Sequence, residues 1–396
     1  MNTLTLSWRF LLSRPLTAVL NCLLLSLGLA SIAFMILLKD QLDNAFERDL
    51  AGIDLVVGAK GSPLQLILAG VFHLDVPGGN VPMKAMELLR DHPQVALLIP
   101  ISLGDNLDKF RIVGTTLDYP KFYGAQLAQG AWWTMPMQVV LGAQVAMQTG
   151  LKLGDTFPGS HGLGQSVSQH DANLFKVAGL MAATGTVLDR LILTATESVW
   201  EVHEKHEPAG AIAAVVPERE ITLALIQYKS PLAAVSFPRF VNSSTTMQAA
   251  APAIEITRLL KTLGVGIDML RALAVVLVLT ATLSVFIALW NAVRERRADL
   301  ALLRMLGAAR WKVAALPLCE ALCLAFFSCV LGLLMGQGLL AAAGWLLRLD
   351  QSVLLTAWTW PLGLCWLPLI ATLVASLAAA LPAMGAYRVS VFELLR

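Results

Sequence analysis

Charged residues are scarce in this chain of 396 residues: Asp, Glu, Lys and Arg make up 14% of it, whereas 57% of the residues are hydrophobic. Soluble domains carry about 25% charged residues, so the composition argues against an ordinary soluble enzyme. The scarcity is concentrated in four stretches, 15–38, 272–293, 313–347 (interrupted only by Glu320) and 351–387. A helix that crosses a bilayer needs about 20 apolar residues, so the sequence predicts four membrane spans.

Cysteine is absent from the long charged segment between the first two spans. All five cysteines lie in the apolar stretches, at Cys22, Cys319, Cys323, Cys329 and Cys365. A disulfide framework is therefore excluded in the charged segment. All six histidines lie in that segment instead, at His73, His92, His161, His170, His203 and His206. Cysteine and histidine therefore cannot combine into a zinc finger.

Motifs of nucleotide binding and hydrolysis are also missing, since the sequence contains no GxxxxGK[ST], GxSxG or HExxH. We therefore expect no catalytic residues, no cofactor bound by this chain and no enzyme activity of its own. A basic face suited to nucleic acid is missing as well. Residues 39–271 hold 18 Lys/Arg and 22 Asp/Glu, whereas the rest of the chain holds 11 and 5.

The excess of positive charge lies beside the spans, where it sets orientation. Segment 1–14 has two arginines and no acidic residue, and the loop 294–312 has six basic and two acidic residues. By the positive-inside rule, both termini and this loop are cytoplasmic, and the domain at 39–268 lies across the membrane. The apolar run 15–38 is longer than the core of a cleavable signal, about 7–15 residues, and predicts an uncleaved anchor.

The large domain shows signs of both strands and helices. Short β-branched runs predict strands at 53–58, 95–101, 110–114 and 175–180. Helical spacing predicts helices at 83–91 and 140–150, which together with the strands indicates an α+β domain. The Gly-, Ser- and His-rich segment 157–170 predicts a loop or small insertion. The helical segments that flank the domain predict a two-helix stalk.

Two groups of residues in unusual positions are candidates for chemistry. His203 and His206, spaced i, i+3, lie on one face of a helix and can share a metal ion, with His161 and His170 as further candidate ligands. We favour the alternative, a solvated helix end, because no spacing rule joins the two pairs. Glu320 is the single acidic residue of the apolar spans, and intramembrane acids are candidates for ion paths. We favour ion pairing near the cytoplasmic interface, since Glu320 follows Lys312 by eight residues.

The loop after the second span, NAVRERRADLALLRMLGAARWKV (291–313), resembles the basic coupling segment "ERRxEIALLRxLGA" of FtsX/MacB/LolC-type ABC permeases. The matching positions are Arg294, Glu295, Arg296, Arg297, Asp299, Leu303, Arg304, Leu306, Gly307 and Ala308. Residues 6–20 resemble the entry helix of that family and 110–157 its periplasmic core domain. Residues 381–396 resemble its closing tail, although Gly385 and Ser390 stand where Arg or Lys and Pro are usual.

The coupling segment also has a physical interpretation of its own. Leu300, Leu303 and Leu306 recur at i, i+3 and i+6, forming an apolar stripe on a short helix that Gly307 ends in a left-handed conformation. Such a helix suits a groove on a partner. Acidic residues at the rim of an ATPase groove are expected to pair with Arg296, Arg297 and Arg304. The alternative is a basic loop that serves only topology or binds anionic lipid.

The resemblance implies an all-α membrane unit of four transmembrane helices in a one-plus-three arrangement, with a large α+β periplasmic domain inserted between helices 1 and 2. The expected boundaries are a cytoplasmic segment 1–14, spans 15–38, 269–293, 313–341 and 358–383, the periplasmic domain with its stalk 39–268, the coupling segment 294–312, a periplasmic loop 342–357 and a cytoplasmic tail 384–396.

The resemblance further implies the permease subunit of an ATP-driven complex in the bacterial inner membrane. ATP and Mg would be bound by a separate dimer of cytoplasmic ABC ATPase subunits. Their motion would pass to the periplasmic domain to export, extract or move a periplasmic or membrane-embedded substrate, which is mechanotransmission. Further expected partners are a second permease copy or a paralogue, a periplasmic adaptor or lipoprotein, and the lipid bilayer, but no nucleic acid.

Three other functions stay open from the sequence. They are a scaffold that activates a periplasmic cell-wall hydrolase, a membrane-tethered periplasmic metal-binding sensor, and a four-span channel or secondary transporter. A transporter would need polar pathway residues or broken-helix repeats in the spans, and only Glu320 and scattered Ser and Thr are available. A domain of more than 220 residues is larger than a hydrolase regulator needs.

Overall fold

A computed structural model of the chain describes residues 3–50, 52–161, 168–204, 219–348 and 358–389. The chain divides into two compact units, which we call the membrane unit (Met1–Asp43 with Thr262–Arg396) and the large domain (Asn44–Lys261). Along the sequence, the large domain is therefore inserted into the membrane unit.

The described residues form twelve α-helices: α1 (Thr3–Leu12), α2 (Pro15–Leu50), α3 (Pro63–Gly70), α4 (Met83–Arg90), α5 (Asp118–Phe122), α6 (Ala143–Thr149), α7 (Thr196–Glu204), α8 (Ala233–Ser244), α9 (Pro252–Glu295), α10 (Arg297–Met305), α11 (Arg310–Arg348) and α12 (Trp366–Tyr387). They also form twelve strands: β1 (Leu55–Ala59), β2 (Val81–Pro82), β3 (Val95–Leu107), β4 (Phe110–Thr115), β5 (Leu127–Gly130), β6 (Gln138–Leu141), β7 (Thr156–His161), β8 (Ser168–Met181), β9 (Leu191–Ala195), β10 (Glu220–Ile221), β11 (Leu223–Tyr228) and β12 (Met247–Ala250).

Four of the described helices, α2, α9, α11 and α12, are long and apolar enough to cross a membrane. Only α2 precedes the strands, and the other three follow them. The four predicted spans and their one-plus-three order are therefore confirmed. Helices α2 and α9 are longer than the apolar stretches, because α2 continues to Leu50 and α9 begins at Pro252.

The core of the membrane unit follows helical spacing. In α2, Leu25, Leu29, Ala33 and Leu37 recur every four residues and are fully buried, as expected of one face of a helix with 3.6 residues per turn. They pack with buried residues of the other three long helices. The apolar residues on the opposite faces are exposed, for example Leu279 of α9, as befits a surface that contacts lipid tails.

Helix α11 approaches α2 closely at two glycines. A Cβ atom on Gly332 would lie 2.9 Å from Cβ of Leu29, and one on Gly336 would lie 2.7 Å from Cβ of Ala33. Real Cβ atoms do not approach that closely, so the helices can only meet here because the side chains are absent. Small residues spaced four apart are the usual way for membrane helices to pack backbone to backbone.

The large domain is built on a ten-stranded mixed sheet with the order β12-β1-β11-β3-β4-β9-β6-β8-β5, and β7 pairs with β3 and β8. Pairs β4–β9 and β6–β8 are parallel, and the other pairs of this sheet are antiparallel. Side chains alternate between two cores: Val56 of β1 lies in one, whereas Leu55 and Val57 lie in the other. This arrangement confirms the predicted α+β domain.

The prediction of a loop at 157–170 is wrong at both ends. Residues up to His161 belong to β7 and those from Ser168 onward to β8, and the two strands pair antiparallel. Residues 162–167 lie outside the described part of the chain. Strand pairing overrode the turn-like composition here, because neighbouring strands satisfy the backbone groups of Gly and Ser as well as those of any other residue.

Candidate functional site

The coupling segment folds as a short helix with defined ends. Helix α10 is separated from α9 by Arg296, whose backbone (φ −100°, ψ 17°) interrupts the helical path. At its other end Gly307 has the expected left-handed conformation, with φ of 92°. The amide of Ala308 donates to the carbonyl of Leu303 at 3.0 Å, which is the bond that closes a glycine-terminated helix. The turn then leads directly into α11.

One face of α10 packs against the membrane unit itself. Leu300 is buried in a cluster with Val293, Val313 and Leu316, and Leu303 packs against the same cluster. The predicted stripe is therefore corrected: Leu300 is buried and Leu303 half-buried, and both hold α10 to its own chain. The stripe was placed wrongly because spacing identifies one face of a helix but not what covers it.

A different apolar face of α10 points outward. Leu302, Met305 and Leu306 lie on neighbouring turns and are exposed, Leu306 to 84%. Trp311 is exposed at the start of α11. We call these four residues the apolar patch. Of the predicted stripe, only Leu306 belongs to it.

Arg296 connects three elements at the base of α10. Its guanidinium donates to Oε1 of Glu320 at 3.1 Å, to the carbonyl of Phe10 at 3.0 Å and to Oγ of Ser13 at 3.1 Å. It also lies 4.2 Å from the centre of the Phe10 ring. The side chains of Arg296 and Glu320 are only 13% and 9% exposed. The expected ion pairing of Glu320 is confirmed, and Arg296, which the sequence assigned to an ATPase rim, faces the interior of the unit.

Some of the remaining charged residues of the coupling segment contact the membrane unit, and the others are exposed. Arg304 donates to the backbone carbonyl of Val389, and Glu295 pairs with Arg14. Both therefore join parts of the membrane unit. Arg294, Arg297, Asp299, Arg310 and Lys312 are exposed and make none of these contacts. Beside the ion pairs lies a cavity of about 190 Å³, which Asn21, Thr17 and Leu324 also line.

The side chains of the four candidate metal ligands lie outside the described part of the chain, so the metal site stays a prediction. His161 ends β7, His170 lies in β8 and His203 lies in α7, but their side chains are outside the described part. His206 lies outside the described residues altogether. Among the described residues, no group of three or more His, Cys, Asp or Glu is placed to hold a metal ion.

Comparison with known families covers most of the chain. Residues 18–233, more than half of it, match the MacB-like periplasmic core domain, and residues 271–391 match the C-terminal domain of FtsX-like permeases. The chain belongs to the MacB/FtsX-type ABC permeases. It is therefore a multipass protein of the inner membrane whose large domain is periplasmic, from a family that works with a separate ABC ATPase.

Two solved structures are similar to parts of this permease. The periplasmic region of MacB from Actinobacillus actinomycetemcomitans is 14% identical with a TM-score of 0.34, covering 53% of this chain and 95% of that one. The extracellular domain of the noncanonic ABC-type transporter YknZ from Gram-positive bacteria is 11% identical with a TM-score of 0.32, covering 50% and 98%. No curated protein sequence matches this permease.

The exposed residues Leu302 and Met305 were not predicted from the sequence, although their spacing indicates a second apolar face of α10. Leu302, Met305 and Leu306 are themselves spaced i, i+3 and i+4, the pattern of an amphipathic helix. The segment therefore has two apolar faces, and one of them had to be covered by the protein itself. Which face this is depends on α11, which returns beside α10 after the Gly307 turn.

Proposed function

We propose that this permease transmits the movement of a separate cytoplasmic ATPase to its periplasmic domain, through the apolar patch on α10. The work would export, extract or move a periplasmic or membrane-embedded substrate. The observation that carries the proposal is the exposure of four large apolar side chains, three on α10 or at its end and one at the start of α11, while the opposite face of α10 is anchored in the membrane unit. An exposed apolar cluster of this kind marks a contact surface for a partner.

The patch has the chemistry of a helix that enters a groove. Leu306 and Leu302 present aliphatic side chains on one face of α10, and Trp311 adds a large aromatic one. Of the exposed arginines, Arg297 begins α10 and Arg294 lies at the end of α9 just before it. An apolar centre with charged residues at its edge is the usual composition of a protein interface. The expected partner surface is an apolar groove with acidic residues at its rim.

The anchoring of α10 supports transmission rather than mere attachment. Arg296 joins the N-terminal end of α10 to α11 through Glu320 and to the end of α1 through Phe10. Leu300 and Leu303 pack its inner face into the unit. Movement of α10 therefore moves these helices with it, since buried ion pairs and packed side chains do not stretch. Helix α9 precedes α10 directly and carries the displacement along its length.

The assembly we propose contains two ATPase subunits and two permeases, with a second copy of this chain or a paralogue as the partner permease. ATP and Mg would be bound by the ATPase alone. Both termini and the 294–312 loop would be cytoplasmic, because their basic residues are retained on that side. An adaptor or a lipoprotein would be the periplasmic partner.

The test is the variant Leu302→Ala with Leu306→Ala, which removes the patch without touching the buried face. We expect loss of co-purification with the ATPase and of ATP hydrolysis by the complex, because buried apolar anchors carry most of the binding energy at interfaces. The control is Leu232→Ala with Val235→Ala, which truncates two exposed apolar residues at the start of α8. It should bind and support hydrolysis as the wild type does, and the permease alone should hydrolyse no ATP.

Arg297→Ala should weaken assembly less than the double leucine variant, and more at low salt than at high salt, because exposed ion pairs are screened. If the double leucine variant binds the ATPase and supports hydrolysis normally, α10 is not the transmission point. Binding of the basic loop to anionic lipid then becomes the better interpretation.

A further inference from the structure

The large domain contains a cavity that the coupling function does not use. It has a volume of about 360 Å³ and lies against the hairpin formed by β3 and β4. Asn106 of β3 and Arg111 of β4 are direct partners across this hairpin, and both line the cavity. Val76 and Pro77, from the loop between α3 and β2, form an apolar wall. The volume falls within the range of small-molecule sites, about 300–1,000 Å³.

A β-bulge determines which residue lies opposite Arg111. Leu103 pairs with Val113, so a regular ladder would place Asp105 opposite Arg111. The register shifts by one residue between Leu103 and Asn106, and Asn106 takes that position instead. The bulge thus replaces a carboxylate by a neutral amide beside the guanidinium. Bulges commonly redirect side chains at functional sites.

Within the described part of the chain, the Arg111 guanidinium makes no hydrogen bond or ion pair, and Asp75 acts on it only through its charge. Burial lowers the pKa of Arg111 and the charge of Asp75 partly opposes this shift, but an arginine stays charged in proteins. Its five donors are therefore available at the cavity surface. An Arg side chain presents them in a planar fork that fits a carboxylate with two parallel hydrogen bonds.

The wall of the cavity is fixed before any ligand arrives. Gln65 donates to the carbonyl of Val76 at 3.0 Å, and Arg190 donates to the carbonyl of Phe72 at 3.0 Å. His73 is buried and its Nε2 lies 3.1 Å from the Tyr119 hydroxyl. These bonds hold the loop at Phe72, His73 and Val76, which lead into its apolar residues. A site that is already formed binds without the entropic cost of ordering a loop.

We propose that this cavity binds the carboxylate of a small apolar ligand or of a peptide C terminus. Arg111 would hold the carboxylate, Asn106 would donate a further hydrogen bond from its amide, and Leu103, Val76 and Pro77 would contact the apolar part. Asp105 also lines the cavity, and its carboxylate favours a ligand with one negative charge over a ligand with several. The site is independent of the coupling proposal.

The experiment measures binding to the full-length permease in nanodiscs by calorimetry. The probes are N-acetyl-leucine and the peptide acetyl-Ala-Ala-Leu, each with a free carboxylate and as the matched amide. We expect the carboxylate form of at least one pair to bind about tenfold or more tighter than its amide, since a charged hydrogen bond is worth that much. Tight binding of the peptide alone would identify a peptide C terminus as the ligand. Binding of N-acetyl-leucine would identify a small molecule as the ligand.

Two variants test the residues. Arg111→Gln and Asn106→Asp should each abolish the preference for the carboxylate, the second because an internal carboxylate then occupies Arg111. The control Arg90→Gln removes an exposed arginine of α4 and should retain the preference. Thermal unfolding of each variant shows that it is folded. The proposal is wrong if no carboxylate probe binds at millimolar concentration, if carboxylate and amide bind equally, or if folded Arg111→Gln keeps the preference.

Discussion

Arg296 shows how a single residue can differ in role from its neighbours in the same basic run. Arg294 and Arg297 are exposed, whereas Arg296 lies between α10, α11 and the end of α1. The sequence assigns all three the same charge and nearly the same position. Only the fold separates the residue that ties the segment to the membrane unit from those available to a partner.

The first prediction concerns the pair of Arg296 and Glu320. Arg296→Ala should destabilise the permease by about 3–5 kcal/mol, because it leaves a buried carboxylate without its partner. Removing both charges with Arg296→Ala and Glu320→Ala should cost less than Arg296→Ala alone. Arg297→Ala, the exposed neighbour, should change stability by less than about 0.5 kcal/mol. Thermal unfolding in nanodiscs measures the stability of each variant. Equal effects of Arg296→Ala and Arg297→Ala would contradict the prediction.

His73 is a buried ionisable residue of the large domain in an unusual backbone conformation. It is 6% exposed, its φ is 52°, and its Nδ1 has no hydrogen-bond partner among the residues that the structure describes. Burial lowers the pKa of His73 well below its usual value, and the positive charges of Arg111 and Arg190 lower it further. His73 is therefore neutral in the folded protein.

The second prediction follows from the direction of this shift. The unfolded chain takes up a proton at His73 below about pH 6.5 and the folded chain does not. This difference in protonation contributes fully to the free energy of unfolding above pH 6.5. Below that pH the free energy of unfolding falls by up to about 1.4 kcal/mol per pH unit. His73→Asn, which tolerates a positive φ, should flatten the decline in melting temperature between pH 7 and pH 5. An unchanged slope would show that His73 does not titrate on unfolding.

At the scale of elements, α11 and α2 illustrate a contact that depends on the absence of side chains. Gly332 and Gly336 lie against Leu29 and Ala33, whereas a Cβ atom on Gly338, two residues further along α11, would meet nothing within 4 Å. The three glycines look alike in the sequence. Their difference comes from the rotation of α11 about its axis.

The third prediction uses this difference. Gly336→Ala should destabilise the membrane unit by about 1–3 kcal/mol, because the added methyl group forces the two helices apart. Gly338→Ala adds the same methyl group at an open position and should be neutral or stabilising. The measurement is the melting temperature of each variant in the same nanodiscs. Equal melting temperatures of the two variants would contradict the close contact between α2 and α11 at Gly336.

Helix α10 shows how far the sequence determines an element. The N-terminal charge run and Gly307 predict its position, and the structure places a helix there. Spacing also predicts an apolar face, but the face that Leu303 belongs to is buried and the face of Leu302 is exposed. Helical periodicity cannot decide between two apolar faces, because burial depends on the helices that pack beside it.

For the whole molecule, the distribution of basic residues makes a prediction about orientation. Reporter fusions at residue 200 should be active on the periplasmic side, and fusions at residues 300 and 396 on the cytoplasmic side, because the basic clusters stay in the cytoplasm. Alkaline phosphatase and green fluorescent protein report the two compartments. Cytoplasmic signal at residue 200 would reverse the orientation of the entire chain and remove the basis for ATPase docking.

The sequence by itself determined the class of this protein: four spans, the inserted α+β domain and the permease family. These follow from the lengths of the apolar runs, the alternation within strands and a local motif, all of which are properties of neighbouring residues. The tertiary structure alone decided the roles of individual side chains. Which leucines of α10 are exposed, that Arg296 faces inward, and that a bulge places Asn106 rather than Asp105 opposite Arg111 all depend on contacts between residues far apart in the chain. Spacing along one element carries no information about its neighbours, so these assignments required the packed structure.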